Sequence, residues 1–349
     1  MGGFEATHDF IGERGYGQWR EQQPLPPKPH ENSWFGEADT AIAPEQSKLA
    51  WGADMVISLL DDYQADDAPF FLRWDPSEPH LPNVVPEPYV SMYKSSDIEP
   101  WPSYGDDLIG KPYIQQQQKR TWGLENWTWD KWAPIVARYL GEVTLLDSQV
   151  GRLLGKIDEL GLTEDTLILF SSDHGDLCGA HGQIDKHFIM YDDISRVPLI
   201  ARFPGRITPE NDCGAFVSNE IDMASTILDA AGLDAPDSFR GRSLIDVAAG
   251  TDPKPRHDIF SAWHGSQLGA FTQRMVRDRR WKYIWNASAL DEMYNLEFDP
   301  AELKNLAQND EYGDELRRLR MRLIQWMESL SDPMLNEWTR GALESGSKL

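Results

Sequence analysis

A sixteen-residue segment near the middle of the chain concentrates side chains that could do chemistry. Residues 172–187 include three aspartates, three histidines, one lysine and three glycines. Asp173 and His174 are adjacent, so a tight turn can aim a carboxylate oxygen and an imidazole nitrogen at one metal ion. The glycines let the backbone fold closely, which would return Lys186, a compact positive charge suited to an anionic substrate, to the same pocket. The segment predicts a metal and anion site; a polar loop with solvated histidines is the alternative.

A further candidate, His80, lies far upstream in the tetrapeptide Pro79-His80-Leu81-Pro82. The prolines at the two ends of this tetrapeptide restrict the backbone and hold the imidazole of His80 in place. A histidine in such a setting is often a structural residue. Its position after a predicted strand also favours a role at the site, and the sequence leaves both interpretations open.

A buried strand is predicted to position the 172–187 segment. Residues 166–170 form a continuous apolar run between turn residues, which is typical of a strand buried on both faces of a parallel sheet. Apolar residues three and four apart predict helices, and short apolar runs predict two more strands. The predicted helices cover 43–63, 132–160 and 219–231, and the strands 69–74 and 197–202. This alternation predicts an α/β sheet with helices on both faces, whose ligands gather beyond the carboxyl ends of the strands.

After Pro253 the pattern changes to short β-like stretches followed by one amphipathic helix. The stretches are 259–263, 271–277, 281–285 and 292–296, and the helix carries apolar residues on one side from Leu316 to Met327. Closely spaced strands of this kind predict a small antiparallel sheet. We therefore expect an α/β domain over 1–250 and a C-terminal α+β subdomain over 251–349.

Composition narrows the possible partners. The chain has 349 residues and a formal net charge of −24, with 33 Lys and Arg against 57 Asp and Glu. This balance argues against nucleic-acid binding, which needs a positive surface, and against docking on anionic membranes. No apolar run approaches the ~18 residues that a membrane span needs. The first residues lack a signal-peptide pattern, so we expect a cytoplasmic protein.

Two finer features of the composition concern cysteine and the choice of charged residues. Cys178 and Cys213 cannot build a disulfide framework and are expected to be small, partly buried hydrophobes. The 33 basic residues are mostly Arg and the 57 acidic residues mostly Asp. An Asp-rich, Lys-poor surface stays hydrated where salt screens charge. A high-salt cytoplasm and a merely acidic protein both fit this pattern.

Several motifs, in this order along the chain, resemble the sulfatase family of the alkaline-phosphatase superfamily. They are 146–154, 165–168, Ser172-Asp173-His174-Gly175-Asp176, His181-Gly182, Asp185-Lys186, 196–200, Gly241-Arg242-Ser243-Leu244, 279–284, 292–300 and Asn305-Leu306. The match runs along most of the chain. It implies an alkaline-phosphatase-like sheet and the hydrolysis of a sulfate monoester of a small molecule or carbohydrate.

The resemblance also implies roles for individual residues. Asp173 and His174 match the family's second pair of metal ligands, for a divalent cation that is usually calcium; manganese and zinc also accept an imidazole ligand. Lys186 matches the lysine that holds the sulfate, and His80 matches the histidine near the sulfate and the leaving oxygen. His264 and Arg277, in the lobe that contributes to substrate selection, are predicted substrate contacts.

One part of the family pattern does not occur in this sequence. The family's nucleophile is a cysteine or serine followed by x-Pro-x-Arg, whereas Cys178 precedes Gly-Ala-His and Cys213 precedes Gly-Ala-Phe. The family's Asp-Asp strand is also missing. We therefore expect an N-terminally incomplete sulfatase-like chain, with an N-terminal complementing chain as one source of the rest. A phosphodiesterase or phosphonate monoester hydrolase of the same superfamily, and a non-catalytic remnant, are the alternatives.

Overall fold

The computed structural model describes residues 13–27, 34–66, 68–209, 214–265 and 269–347, so Cys213 lies outside the described residues. The chain forms two compact units. Unit 1 comprises the described residues within 1–100 and 127–166, and unit 2 those within 101–126 and 167–349. The domain boundary near residue 250 stays a prediction.

Unit 1 is built around one long helix. Its elements are α1 (Glu13–Gln22), β1 (Glu37–Ala38), α2 (Lys48–Asp66), β2 (Val84–Val85), α3 (Tyr89–Met92) and a longer helix, Trp129–Glu159. That helix, α5, packs against α2 and α3, and its apolar stripe buries Trp132 and Val136 completely. It ends as the sequence predicts, because Gly161 takes the left-handed conformation (φ +70°) that follows many helix ends.

Close packing in unit 1 depends on a glycine inside α5. A Cβ atom at Gly141 would meet the backbone carbonyl oxygen of Tyr89, in α3, at 2.3 Å. Only glycine allows the two helices to approach this closely.

The strand predicted at 69–74 is wrong, because this segment is irregular chain without strand pairing in the described structure. Its aromatic side chains pack back onto α2 instead. The Phe70 ring stacks on Tyr63 at 5.6 Å, and the Trp74 indole lies against Gly52. A short apolar run can therefore cover a helix as well as form a strand.

Unit 2 begins with α4 (Tyr113–Thr121) and a two-stranded ladder. The ladder consists of β3 (Ile168–Ser171) and β4 (Leu199–Arg202), with the four-residue helix α6 (Asp192–Ser195) between them. The two strands are antiparallel, and Phe170 lies opposite Ile200. The expectation that 166–170 is a parallel strand buried on both faces is thus wrong in the described residues, since β3 pairs antiparallel and Phe170 is 36% exposed. The chain returns beside β3 through a loop, and antiparallel strands need no helical crossover.

The predicted C-terminal lobe is confirmed. After α7 (Asn219–Ala230) and α8 (Leu244–Ala249), four strands form an antiparallel sheet in chain order. They are β5 (Ile259–Gly265), β6 (Phe271–Arg277), β7 (Trp281–Asn286) and β8 (Glu292–Asn295). Helix α9 (Gly313–Ser329) covers the sheet with Leu319, Leu323 and Met327, and α10 (Glu337–Ser345) follows. Among the described helices, none has both the length and the apolar character to cross a bilayer.

Candidate active site

The loop between β3 and β4 folds back on itself as the sequence predicts. The Leu177 N–H donates to the Asp185 carbonyl at 3.0 Å, and the Gly179 N–H donates to the Gln183 carbonyl at 2.8 Å. The Asp176 carboxylate accepts the N–H of Asp185 at 3.2 Å, which ties the two ends of the loop together. These hydrogen bonds close residues 176–185 into a loop, with Asp173 and His174 just before it in the chain and Lys186 just after it.

Gly175 fixes the turn that carries Asp173 and His174. A Cβ atom at this position would meet the Asp193 carbonyl oxygen at 1.8 Å, and the Gly175 N–H donates to the Ile194 carbonyl at 2.9 Å. The turn thus lies directly on the backbone of α6. A side chain at residue 175 would push the turn away, so the glycine is required by close approach.

Asp173 and His174 form a paired carboxylate and imidazole. The Asp173 side chain is 86% exposed, and its Oδ2 lies 3.6 Å from Nε2 of His174. The Nδ1–H of His174 donates to the Gly175 carbonyl at 2.9 Å, which leaves Nε2 as the nitrogen suited to bind a metal ion. Oxygen and nitrogen donors this close fit two positions on a divalent cation. In the described part of the chain no third His, Cys, Asp or Glu completes the group.

Lys186 and His187 both contact the buried carboxylate of Asp185. Asp185 accepts from His187 Nε2 at 2.9 Å and lies 3.1 Å from the Lys186 ammonium. Burial alone would raise the pKa of the Asp185 carboxyl, but the hydrogen bond and charge of His187 and the charge of Lys186 lower it to about 2. Asp185 is therefore a permanent anion between two nitrogen donors.

His181, the remaining histidine of the loop, is a core residue. It is fully buried, its Nδ1 donates to Asp106 at 2.6 Å, and its ring stacks on Tyr191 at 3.9 Å. Burial lowers the pKa of His181, although the hydrogen bond to Asp106 opposes this change. For this histidine, a structural role is the better interpretation.

His80, in unit 1, lines a cavity of about 230 Å³. Its Nδ1–H donates to the Leu81 carbonyl at 2.8 Å and its backbone N–H donates to the Ser77 carbonyl at 2.9 Å. The first bond keeps the proton of the neutral ring on Nδ1 and leaves proton exchange to Nε2. Lys48 also lines the cavity, 2.5 Å from Ser77 Oγ and 3.3 Å from Glu78 Oε1.

Glu142 is a titratable group of this cavity that sequence reasoning missed. It is buried in α5 and accepts a hydrogen bond from Asn83 at 2.6 Å. Burial, and then the charge of Glu78, raise the pKa of Glu142 to about 8. The sequence did contain a signal, because residue 142 falls three after Tyr139 and four before Leu146 on the apolar stripe of the helix.

The two predicted substrate contacts lie on the C-terminal sheet of unit 2. His264 on β5 is paired with Thr272 on β6, with Nδ1 2.5 Å from the Thr272 hydroxyl. Arg277 donates to both carboxylate oxygens of Asp192, at 3.1 and 2.9 Å, and so ties α6 to the sheet. Contact of either residue with substrate stays a prediction.

The fold is that of alkaline-phosphatase-like hydrolases. The phosphonate monoester hydrolase of Silicibacter pomeroyi superimposes with a TM-score of 0.80 over 92% of this chain and 70% of its own, at 21% identity. At this identity the likeness shows the fold alone.

Sequence comparison defines the family. Residues 6–233 match the sulfatase family model, and residues 179–329 match the C-terminal region of N-sulphoglucosamine sulphohydrolase. Because the first match covers more than half of the chain, this protein belongs to the sulfatase family.

Two relatives are enzymes of known name. The arylsulfatase of Clostridium perfringens is 34% identical over 267 residues, which is 74% of this chain and 54% of that protein. The N-acetylglucosamine-6-O-sulfatase of Bacteroides thetaiotaomicron is 30% identical over 252 residues, 70% of this chain and 42% of that protein. The chain thus spans about half the length of these relatives.

Proposed function

We propose that this chain carries part of the active site of a sulfuric ester hydrolase. Its substrate is the sulfate ester of a small molecule or carbohydrate, as the names of the relatives suggest. The observation that carries the proposal is the loop closed between residues 176 and 185, which the Asp173–His174 pair and Lys186 flank in a chain of this family.

The proposed roles are those that the resemblance to the family implies, and the chemistry of the side chains fits them. Asp173 and His174 would hold a divalent cation, which we propose to be calcium and which, when bound, supplies positive charge near the sulfate oxygens. Lys186 offsets the negative charge of the same sulfate. His80, in its doubly protonated form, would donate the Nε2 proton to the departing alkoxide and become the neutral Nδ1–H imidazole.

We propose that the nucleophile and the other metal ligands come from polypeptide outside this sequence, such as an N-terminal complementing chain. The relatives' greater length and the missing nucleophile motif support this. A cytoplasmic location stays a prediction from the sequence.

The test is sulfate release from 4-nitrophenyl sulfate and from a sulfated monosaccharide, by this chain alone and with the complementing segment. Lys186→Ala should lower kcat/KM by about 10²- to 10³-fold, the usual cost of losing one charge-stabilising donor. Lys94→Ala, at an exposed lysine, is the matched control. Cleavage of phosphonate or phosphate diesters in place of sulfate esters would support the alternative hydrolase. The absence of any cleavage would favour a non-catalytic remnant.

The proposed metal pair has its own test, which needs no turnover. Asp173→Ala should weaken calcium binding at least tenfold, because it removes one of the two ligands that we propose on this chain. Asp176→Ala is unsuitable as a control, since Asp176 holds the loop closed; the exposed Asp107→Ala replaces it. Titration calorimetry in the presence of the complementing segment measures both, and equal affinity in the two variants would contradict the assignment.

A further inference from the structure

Two nitrogen donors converge on one buried carboxylate in the β3–β4 loop. The Asp185 side chain is 3% exposed, and it is approached by the Lys186 ammonium at Oδ1 and by the His187 imidazole at Oδ2. The three residues are consecutive in the chain. In an extended strand, the side chains of residues 185 and 186 would point to opposite faces.

A special backbone conformation makes this convergence possible. Asp185 and His187 have φ values of +64° and +81°, a left-handed region that residues other than glycine seldom occupy. Such conformations persist where the surroundings enforce them, and they cluster at functional sites. Here the buried Gln118 side chain donates to the carbonyl groups of Ile184 and Lys186, at 3.2 and 3.0 Å.

The His187 ring also packs against two aromatic side chains. It lies edge-on to the Trp263 indole of β5, with ring centres 6.3 Å apart, and next to the buried Phe188 ring. This packing holds the imidazole in the orientation in which its Nε2 contacts the Asp185 carboxylate.

We propose that Asp185 and His187 form a positioning pair for the ammonium of Lys186. This inference rests on the proposed function, which assigns Lys186 to the sulfate. A carboxylate beside the lysine both orients the ammonium and competes with sulfate for it. The N–H of His187 takes up part of the charge of Asp185, so the lysine is oriented without being captured.

Three variants test this arrangement through the dissociation constant for inorganic sulfate. His187→Leu should weaken sulfate binding about tenfold, since the unshared Asp185 then holds the ammonium more strongly. His187→Gln, whose amide N–H can reach the same oxygen, should restore affinity to within about threefold of the wild type. His257→Leu, at an exposed histidine of the same unit, should change nothing. Equal affinity in His187→Leu and the wild type would overturn the pair.

A second measurement separates this inference from the proposed function. The ¹⁵N resonance of the Lys186 ammonium should shift in His187→Leu and return in His187→Gln, whether or not sulfate binds. If the resonance shifts in His187→Leu but the wild-type chain binds no sulfate, the proposed function is refuted and the pair stands. An unmoved resonance would refute the pair. If His187→Leu does not fold, Asp185→Asn takes its place, with a shift in the opposite direction expected, because this variant removes the negative charge that faces the ammonium.

Discussion

At the scale of single residues, a histidine's role depends on what its Nδ1 contacts. In His80 and in His174 the Nδ1–H donates to the carbonyl of the next residue, at 2.8 and 2.9 Å. In His181 the same atom donates to the buried Asp106. The first arrangement makes Nε2 the nitrogen that can serve as a ligand or, when the ring is protonated, as a proton donor, whereas the second places the ring in the core.

Glu142 gives a prediction about pH. Its pKa is raised from 4.5 to about 8, so the folded chain keeps a proton that the unfolded chain loses as the pH rises from 4.5 to 8. The free energy of unfolding therefore falls over this range through Glu142. Glu142→Gln, which can still accept from Asn83, should remove this fall.

Urea unfolding at pH 5 and pH 8 measures the effect of Glu142→Gln. Between pH 5 and pH 8, the free energy of unfolding of the variant should rise relative to that of the wild type by on the order of 1–3 kcal/mol. Glu159→Gln, at the exposed end of the same helix, should gain nothing. A wild type and a Glu142→Gln variant with parallel pH profiles would show that Glu142 is ionised in the folded chain.

At the scale of elements, two glycines of α5 should respond oppositely to the same change. Gly141→Ala places a Cβ atom against the Tyr89 carbonyl and should destabilise the chain by about 1–3 kcal/mol. Gly151→Ala meets nothing within 4 Å and should stabilise it by up to about 1 kcal/mol, because alanine favours helices. Thermal unfolding of the two variants decides this; equal shifts would contradict the close packing of α3 on α5.

The elements that the sequence predicted correctly are marked by local patterns in their own residues. Helix α5 and strands β6 and β7 lie within a few residues of their predicted bounds. The predictions of a strand at 69–74 and of parallel pairing for β3 were wrong for the same reason. An apolar run indicates only that its side chains are buried. What it packs against depends on contacts with other parts of the chain: segment 69–74 packs on helix α2, and β3 pairs with the antiparallel strand β4.

The candidate site was predictable only in part for a similar reason. Motifs identified Asp173, His174 and Lys186, because these residues share one short loop. The shared carboxylate of Asp185 was not predictable, since it requires left-handed φ values at two residues that are not glycine. Glu142 and Lys48 meet at a cavity although 94 residues separate them in the sequence.

At the scale of the whole molecule, the net charge of −24 should make stability depend on salt. Repulsion among like charges disfavours the compact state, and raising the salt from 0.1 M to 1 M shortens the screening length from about 10 Å to about 3 Å. We expect Tm to rise by several degrees between these NaCl concentrations. Scanning calorimetry measures the change, and a Tm that falls with salt would indicate that ion pairs outweigh the repulsion.

The ladder of β3 and β4 has a practical consequence. Phe170 and Ile200 face each other across it and both meet solvent. Exposed apolar side chains of this kind favour self-association at high protein concentration. The fluorescence of apolar dyes such as ANS should rise on binding there while the fold is intact. Dilute samples and mild detergent are the sensible conditions for handling it.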